Sequence, residues 1–327
     1  MKMSRYFACV SLISLSLAAE APSAPVPERT PQQATPDRLT PADAEMVLTV
    51  NVRQMLQMPV VKKHALDPLK LLLKRNDELQ QLLTAAGLDP LKDIISIGLS
   101  TSGNPAGSGK LLAVVRGSFD IDKARSATEE YAKKHPGRLK SFKEGELPMW
   151  EILASAHKPF FAAFAGKNTL VMSAAKEDTV AAVRRVDQPP QRINKDLQAA
   201  LAQLKGSESV WMAMTATDEI KQLLKADDTA KDFAESLQYV TGVLELNDDA
   251  QLTLVIHSST PASAMQIKSK LDDLLKVFAF VGAGRDAGSQ IVKEVLDGIK
   301  LGTEKSDVSV RVKLTDAQLE KARKKSP

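Results

Sequence analysis

Cysteine is nearly absent from this sequence: the one residue of this type, Cys9, lies inside the N-terminal apolar stretch. That stretch has the features of a secretory signal, because Lys2 and Arg5 precede an apolar run and small residues follow it at 18–21. We predict cleavage within 18–21 and an exported mature chain, periplasmic or extracellular. The mature chain then has no thiol for a disulfide, a zinc site or nucleophilic attack.

Aromatic residues are also scarce, and no long apolar run follows the signal. A membrane-spanning helix needs roughly 20 apolar residues, so we predict no integral membrane span. The net charge is +4 and falls to +3 when Lys2, Arg5 and Glu20 leave with the signal, which predicts no nucleic-acid partner. With aromatics at 4%, we assign Trp150 and Trp211 to the core rather than to a stacking platform.

Composition divides the chain into four segments. Residues 1–21 form the signal, and residues 22–41 form a Pro-rich linker with few large apolar side chains, which predicts disorder. The body follows as a first half, 42–190, and a second half, 191–327, separated near the breaking sequence "DQPPQR".

Two local patterns in the first half predict structure. Asp67 as cap and Gly87 as the end bracket one predicted helix, whose apolar stripe includes Leu72. The corner Gly166-Lys167-Asn168 predicts a hairpin turn.

The order of predicted elements is similar in the two halves. Each begins with a β-branched or apolar strand, "EMVLTVNV" or "ESVWMAMT", and continues with helices, a strand pair and a long helix. We infer a degenerate internal duplication from this order. Val308, Val310, Val312 and Leu314 alternate with polar residues, which is typical of an antiparallel strand with one buried face. The predicted fold class is α+β, with two related halves, each an antiparallel sheet with helices packed on one face.

A glycine-rich stretch, "VFAFVGAGRDAGSQIVKEVL" at 277–296, is the strongest candidate for a dinucleotide-binding loop. Its glycines at 282, 284 and 288 are spaced one residue too long for the G-x-G-x-x-G fingerprint. Apolar residues at helical spacing begin near Thr260 and run into "VFAFV", so we predict that a long helix ends there and that Asp286 or Ser289 caps the next helix. We therefore predict no nucleotide cofactor.

A second glycine-rich stretch, "GNPAGSGKL" at 103–111, resembles a phosphate-binding loop. Asn104 stands where that loop needs glycine, and Leu111 follows Lys110 where a Ser or Thr would bind magnesium. The stretch also joins two predicted strands and lacks the helix that would hold a phosphate. We predict a hairpin loop.

The pair Ser173 and Lys176 matches the S-x-x-K spacing of penicillin-recognising enzymes, but neither Lys-Thr-Gly nor Ser-x-Asn completes that set. Residues of the helix-capping type stand at the other strand-to-helix junctions, so we predict that Ser173 is also a cap. These predicted caps are Ser118 and Asp120, Thr217 and Asp218, Thr260, and Thr315 with Gln318. The histidines at 64, 135, 157 and 257 are widely spaced and lack a metal-ligand pattern, which predicts surface or strand-end positions. We assign no catalytic, cofactor-binding or metal-binding residue.

Several phrases, "LTVNVRQML", "GLDPLKDI", "VVRGSFDIDK", "AFAGKNTLVMS" and "SVWMAMT", resemble those of a group of uncharacterised exported bacterial proteins. The resemblance implies the signal, the linker and the α+β body, but no activity and no site. With no catalytic set, the leading hypothesis is a non-enzymatic binding or scaffold module of the cell envelope, whose partner contacts an exposed sheet face or the cleft between the halves. Two alternatives remain: a serine hydrolase using Ser173 and Lys176, and a carrier of a small apolar ligand between helices and sheet.

Overall fold

The computed structural model describes residues 34–75, 77–103, 109–153, 159–226, 230–281 and 294–325. The fold is α+β, with helices packed on antiparallel sheets, which confirms the predicted class. The chain divides into two compact units. The first comprises Pro36–Leu56 and Ala65–Ile193, and the second comprises Gln57–His64 and Asn194–Pro327 together with the described part of Pro31–Thr35.

In the first unit the strand order is β1-β2-β3-β7-β6-β5-β4, and neighbouring strands are antiparallel. The strands are β1 (Met46–Val50), β2 (Ile94–Ser102), β3 (Lys110–Gly117), β4 (Leu139–Glu144), β5 (Leu147–Ile152), β6 (Phe160–Phe164) and β7 (Thr169–Ser173). The helices are α1 (Val52–Gln57), α3 (Leu66–Lys74), α4 (Asp77–Ala85), α5 (Pro90–Asp93), α6 (Ile121–Lys134) and α7 (Lys176–Arg184).

Helices cover both faces of this sheet, not one face as predicted. Val114 and Val115 are neighbours on β3 and point to opposite faces. Val114 packs in a buried cluster with Ala182 of α7. The other face carries Met172, which packs with Ala132 of α6. The prediction was wrong on this point because the short strands β5, β6 and β7 carry apolar side chains on both faces. The alternation along β12, on which the prediction rested, does not reveal this pattern.

In the second unit the order is β8-β9-β10-β12-β11, again antiparallel. The strands are β8 (Val210–Thr215), β9 (Leu237–Leu246), β10 (Ala250–Ser258), β11 (Lys300–Glu304) and β12 (Asp307–Leu314). The helices are α2 (Pro59–His64), α8 (Lys195–Ala202), α9 (Asp218–Lys225), α10 (Pro261–Val281) and α11 (Asp316–Lys325). Helix α2 comes from the sequence assigned to the first half, and its Val60 amide donates to the Asn247 carbonyl.

The predicted linker 22–41 extends too far toward the body. Residues 22–33 lie outside the described residues, whereas the chain from Ala34 onward is packed. Ala34 and Thr40 are buried, and the side chain of Leu39 joins a buried cluster of the first unit. The segment packs despite its prolines because one buried leucine and a few charged side chains make its contacts. Examples are the Arg116–Asp37 hydrogen bond and the Arg185 hydrogen bond to the Leu39 carbonyl.

Candidate functional site

One face of the sheet in the second unit carries only uncharged side chains on β8, β9, β10 and β12. The register places Met212, Gly242, Leu254 and Val310 side by side across these four strands, and residues two positions away share their face. We call this surface the apolar face. Its side chains are Val210, Met212, Met214, Val240, Leu244, Leu252, Leu254, Ile256, Val308, Val310 and Val312.

Helix α10 covers one end of the apolar face. Ala264 and Ile267 of this helix are buried against Ile256 and Val308. Beyond the helix, Leu244 and Leu254 are partly buried and Leu252 is 37% exposed, whereas Leu246 at the turn between β9 and β10 is buried. Partly exposed apolar surface of this kind is a candidate site for the binding of another molecule.

Gly242 controls how closely the side chains of the apolar face approach each other. A Cβ atom at this position would lie 2.7 Å from Met212 Cγ and 2.9 Å from Leu254 Cδ2. Because Gly242 has no side chain, the Met212 and Leu254 side chains can occupy the space above β9.

We expect Gly242→Ala to lower the free energy of unfolding by about 1–3 kcal/mol, because the new methyl group overlaps both neighbours. Adding Met212→Ala should recover part of this loss, so that the two changes are not additive. Urea denaturation of the single and double variants measures the coupling. Gly98→Ala is the matched control, since the nearest atom to a Cβ there is the Val114 carbonyl oxygen at 3.9 Å. Additive effects of the two changes would contradict the packing described.

The opposite face of the same sheet carries a polar row. Tyr239, His257 and Asp307 are cross-strand neighbours on β9, β10 and β12. The Tyr239 and His257 rings stack with centroids 4.4 Å apart, and His257 Nδ1 lies 2.5 Å from Asp307 Oδ1. Burial, reinforced by the Asp307 charge, raises the pKa of the Tyr239 hydroxyl above its ordinary value. The row fixes the orientation of the imidazole but brings no nucleophile to it.

A second histidine joins α2 to α11. His64 Nε2 lies 2.7 Å from Asp316 Oδ1, and its Nδ1 lies 3.9 Å from Glu320 Oε2. Its side chain is 8% exposed, so the predicted surface position is wrong for this residue. Lys63 Nζ lies 2.6 Å from Asp316 Oδ2. Lys63 first, and then His64, hold the pKa of Asp316 below its ordinary value of 3.8.

The lowered pKa of Asp316 predicts that the stability of the fold depends on pH. A carboxylate whose folded-state pKa is lowered stabilises the fold above its unfolded-state pKa, and that contribution is lost as the pH falls through the folded-state value. We expect Asp316→Asn to lower the melting temperature near neutral pH, and the difference from the unchanged chain to disappear as the pH falls below about 4. Thermal melts between pH 7 and pH 3 test this, with the exposed turn residue Asp248→Asn as control. A difference that persists unchanged at pH 3 would disprove the role of the Asp316 charge.

The structure does not bring Ser173 and Lys176 together as a nucleophile and its base. The Ser173 side chain is buried, and its hydroxyl contacts the Ala175 backbone and lies 3.0 Å from the Thr179 hydroxyl. Lys176 Nζ lies 2.8 Å from Glu144 Oε2, a contact that raises the pKa of the lysine. The ion pair with Glu144 favours the protonated lysine, which is the wrong form for a base that accepts a proton from serine.

The capping predictions were confirmed at several junctions but not at Ser173. Asp120, Thr217 and Thr260 each accept a hydrogen bond from a backbone amide in the first turn of the following helix. Thr315 and Gln318 form a reciprocal capping box at the start of α11. Ser173, in contrast, stands two residues before the Ala175 cap position of α7, and its hydroxyl closes a buried turn there.

The glycine-rich stretches have no strand-turn-helix context in the described residues. Helix α10 runs through "VFAFV" to Val281, which confirms that this segment is helical, and residues 282–293 with Asp286 and Ser289 lie outside the described residues. β2 and β3 pair as an antiparallel hairpin on either side of 104–108, as predicted. Trp150 and Trp211 are buried, also as predicted.

The described residues lack both a metal-binding cluster and a membrane-spanning helix. No group of three histidine, cysteine or acidic residues there is arranged to hold a metal ion. No helix among those residues has the length and apolar character needed to cross a membrane.

The two histidine–aspartate pairs were missed from the sequence because their members are far apart along the chain. His64 and Asp316 come from the two ends of the body, and His257 and Asp307 meet only through the pairing of β10 with β12. The alternation along β12 did indicate the apolar face on that strand.

Comparison with known proteins adds a distant likeness. No protein-family model and no curated protein sequence matches the chain. Among solved structures, it is similar to the structure of crystal form I of TP0453, with a TM-score of 0.46 and 9% identity over 89% of this chain and 97% of that chain. What the chain does therefore has to be inferred from its own geometry.

Proposed function

We propose that this protein is an exported, non-enzymatic binding module, and that the apolar face of its second unit receives an apolar, uncharged surface of a partner protein. The observation that carries the proposal is a sheet face with no charged side chain on four strands, where Met212, Leu244 and Leu252 stay partly exposed beyond the part that α10 covers among the described residues. Export rests on the signal-like residues 1–21, and their removal can be measured by the mass of the protein isolated from its source.

The openness of the apolar face favours a protein partner over a small ligand. Small-molecule sites are concave and bury most of the ligand surface. Here the partly exposed side chains lie on two neighbouring strands, Val240 and Leu244 on β9 and Leu252 and Leu254 on β10. Met212 and Met214 add flexible side chains that adapt to the shape of a partner.

The inferred duplication is supported by the topology of the two units. Without the β4–β5 hairpin, the first unit has the order β1-β2-β3-β7-β6, which corresponds to β8-β9-β10-β12-β11. A long helix follows the third strand in each unit, α6 or α10. The register places Thr49, Gly98 and Val114 side by side across β1, β2 and β3.

The pairing of "EMVLTVNV" with "ESVWMAMT" matches Thr49 to Met212, whose row continues through Gly242 and Leu254. Both rows thus have glycine on the second strand, a likeness that two copies of one ancestral sheet would share. We infer that the halves are related and belong with the exported proteins whose phrases they resemble.

The binding proposal is tested by one matched pair of variants. Leu252→Asp places a charge on the apolar face, whereas Thr253→Asp places the same charge on the next residue of β10, which points to the opposite face. We expect the mature protein and the Thr253 variant to capture the same partner from an envelope extract after cross-linking, and the Leu252 variant to lose it. Equal capture by both variants would disprove the proposal.

Two other outcomes would replace it. Native mass spectrometry of protein from its source that shows a bound small molecule would favour the carrier. Turnover of an ester, amide or glycoside that is lost in Ser173→Ala would make the protein a hydrolase, against the contacts that Ser173 and Lys176 make.

A further inference from the structure

A short segment at the start of the first unit lies in a groove of that unit. We call residues 37–43 the strap. Leu39 is its one large apolar residue, and its side chain is only 1% exposed. It packs among the residues of a buried cluster between the sheet and α7, namely Leu112, Val114, Ala165, Val171 and Ala182.

Polar contacts hold the strap on both sides of Leu39. Arg116 donates from Nε to Asp37 Oδ2 at 2.7 Å, and its Nη2 lies 2.6 Å from the same oxygen. Arg185 Nη2 donates to the Leu39 carbonyl at 3.0 Å. Within the strap, the Leu39 amide donates to Asp37 Oδ1 and the Thr40 amide donates to the Asp37 carbonyl. The groove thus contacts three groups of the strap. They are an acidic side chain, a leucine side chain two residues later, and the carbonyl of that leucine.

The receptor side of the groove also has contacts that do not involve the strap. Arg116 projects from β3 and also donates to the Thr169 hydroxyl at 3.1 Å, while Arg185 follows α7. Arg185 Nε is buried and makes no hydrogen bond among the described residues. This N–H group is therefore a donor that the strap does not use. Burial also lowers the pKa of the Arg185 guanidinium, whereas the Arg116 side chain is 38% exposed. Arginine can present several donors to one acceptor group, as Arg116 does to the Asp37 carboxylate.

We propose that this groove is a docking site for an Asp-x-Leu segment of a partner protein, and that the strap occupies it in cis. Because the strap is covalently attached, its effective concentration at the groove is high, and an external segment competes only if the strap leaves. The site is then self-occupied, and its affinity for a partner depends on how readily residues 37–43 detach. This proposal does not depend on the apolar face of the second unit, because it concerns other residues.

Binding of a peptide in trans tests the proposal. The full chain carrying Leu39→Asp has a strap whose anchor no longer fits the apolar cluster. A fluorescent peptide of residues 34–44 should bind this chain at least about tenfold more tightly than it binds the unchanged chain, as measured by anisotropy. The peptide carrying Leu39→Asp should not bind, and adding Arg116→Ala to the chain should weaken binding by about tenfold. A folded Leu39 variant that does not bind the peptide would overturn the proposal.

A second measurement applies if the Leu39 variant does not fold. In the unchanged chain, about a hundredfold excess of unlabelled peptide should accelerate hydrogen exchange of the Thr40 amide, since the peptide displaces the strap. Unchanged exchange would overturn the proposal. Gel filtration tests whether the strap of a second copy occupies the groove instead. If the unchanged chain elutes as a dimer and the Leu39 variant as a monomer, the groove binds the strap of a second copy. That result would overturn the proposal of an external partner.

Discussion

Replacing Leu39 with alanine is expected to lower the free energy of unfolding by about 2–5 kcal/mol, although this residue lies in a segment that composition assigns to a disordered linker. Its side chain fills space between the sheet and α7, and its neighbours Val171 and Ala182 are fully buried. Truncation to alanine leaves a cavity, because these neighbours are held by strand pairing and by a helix and cannot collapse into the space. Urea denaturation followed by circular dichroism measures the loss.

Leu72→Ala is the matched control. The sequence places Leu72 on the apolar stripe of a helix, yet its side chain is 49% exposed on α3. We expect this change to alter stability by no more than about 0.5 kcal/mol. Similar losses for Leu39 and Leu72 would contradict the packing of the strap and would support the linker boundary at residue 41.

The contrast between these two leucines shows where pattern analysis of the sequence fails. A helical stripe reports which residues share a face, but it does not report whether another element covers that face. The helix predicted after Asp67 is in fact two helices, α3 and α4, and Asp67 lies in the first turn of α3 instead of capping it. Leu39, in turn, is one buried apolar residue in a polar, Pro-rich segment. A single residue gives no repeating hydrophobic pattern from which its burial could be predicted.

Patterns with a clear local cause were predicted correctly. The alternation along β12 placed Val308 on the covered face, and it is fully buried under α10. The corner at Gly166 joins β6 to β7 with a positive φ of 77°, which glycine adopts without strain. The fold class follows from such signals because strand alternation, turns and caps all depend on neighbouring residues.

The candidate sites depend on contacts between distant residues, and this is why the sequence did not reveal them. Arg116 and Asp37 meet only when β3 and the strap are both in place. The apolar face extends over four strands, and only the alternation of β12 was clear enough to interpret. Interior apolar runs such as "LTLVIHSS" look alike whether one face or both faces are covered.

Gly117→Ala is expected to cost about 3 kcal/mol or more, the largest effect of any glycine replacement considered for this chain. A Cβ atom there would lie 2.4 Å from the Asp93 carbonyl oxygen and 2.7 Å from the ring of Phe119. The Phe119 ring can rotate away, but the carbonyl oxygen is fixed because it accepts a hydrogen bond from the Ser118 amide. The overlap therefore has to be relieved by moving the end of β3.

Movement of that strand end carries Arg116 with it, so Gly117→Ala should also weaken the groove that holds the strap. We expect a lower urea midpoint together with faster hydrogen exchange of the Thr40 amide. Adding Phe119→Ala should restore little, since the backbone overlap with Asp93 remains. Gly137→Ala is the matched control, because no atom lies within 4 Å of a Cβ at that position, and it should leave both measurements unchanged. If Gly117→Ala is as stable as the control, the close approach of Gly117 to the Asp93 carbonyl is wrong, and with it the placement of Arg116 beside Asp37.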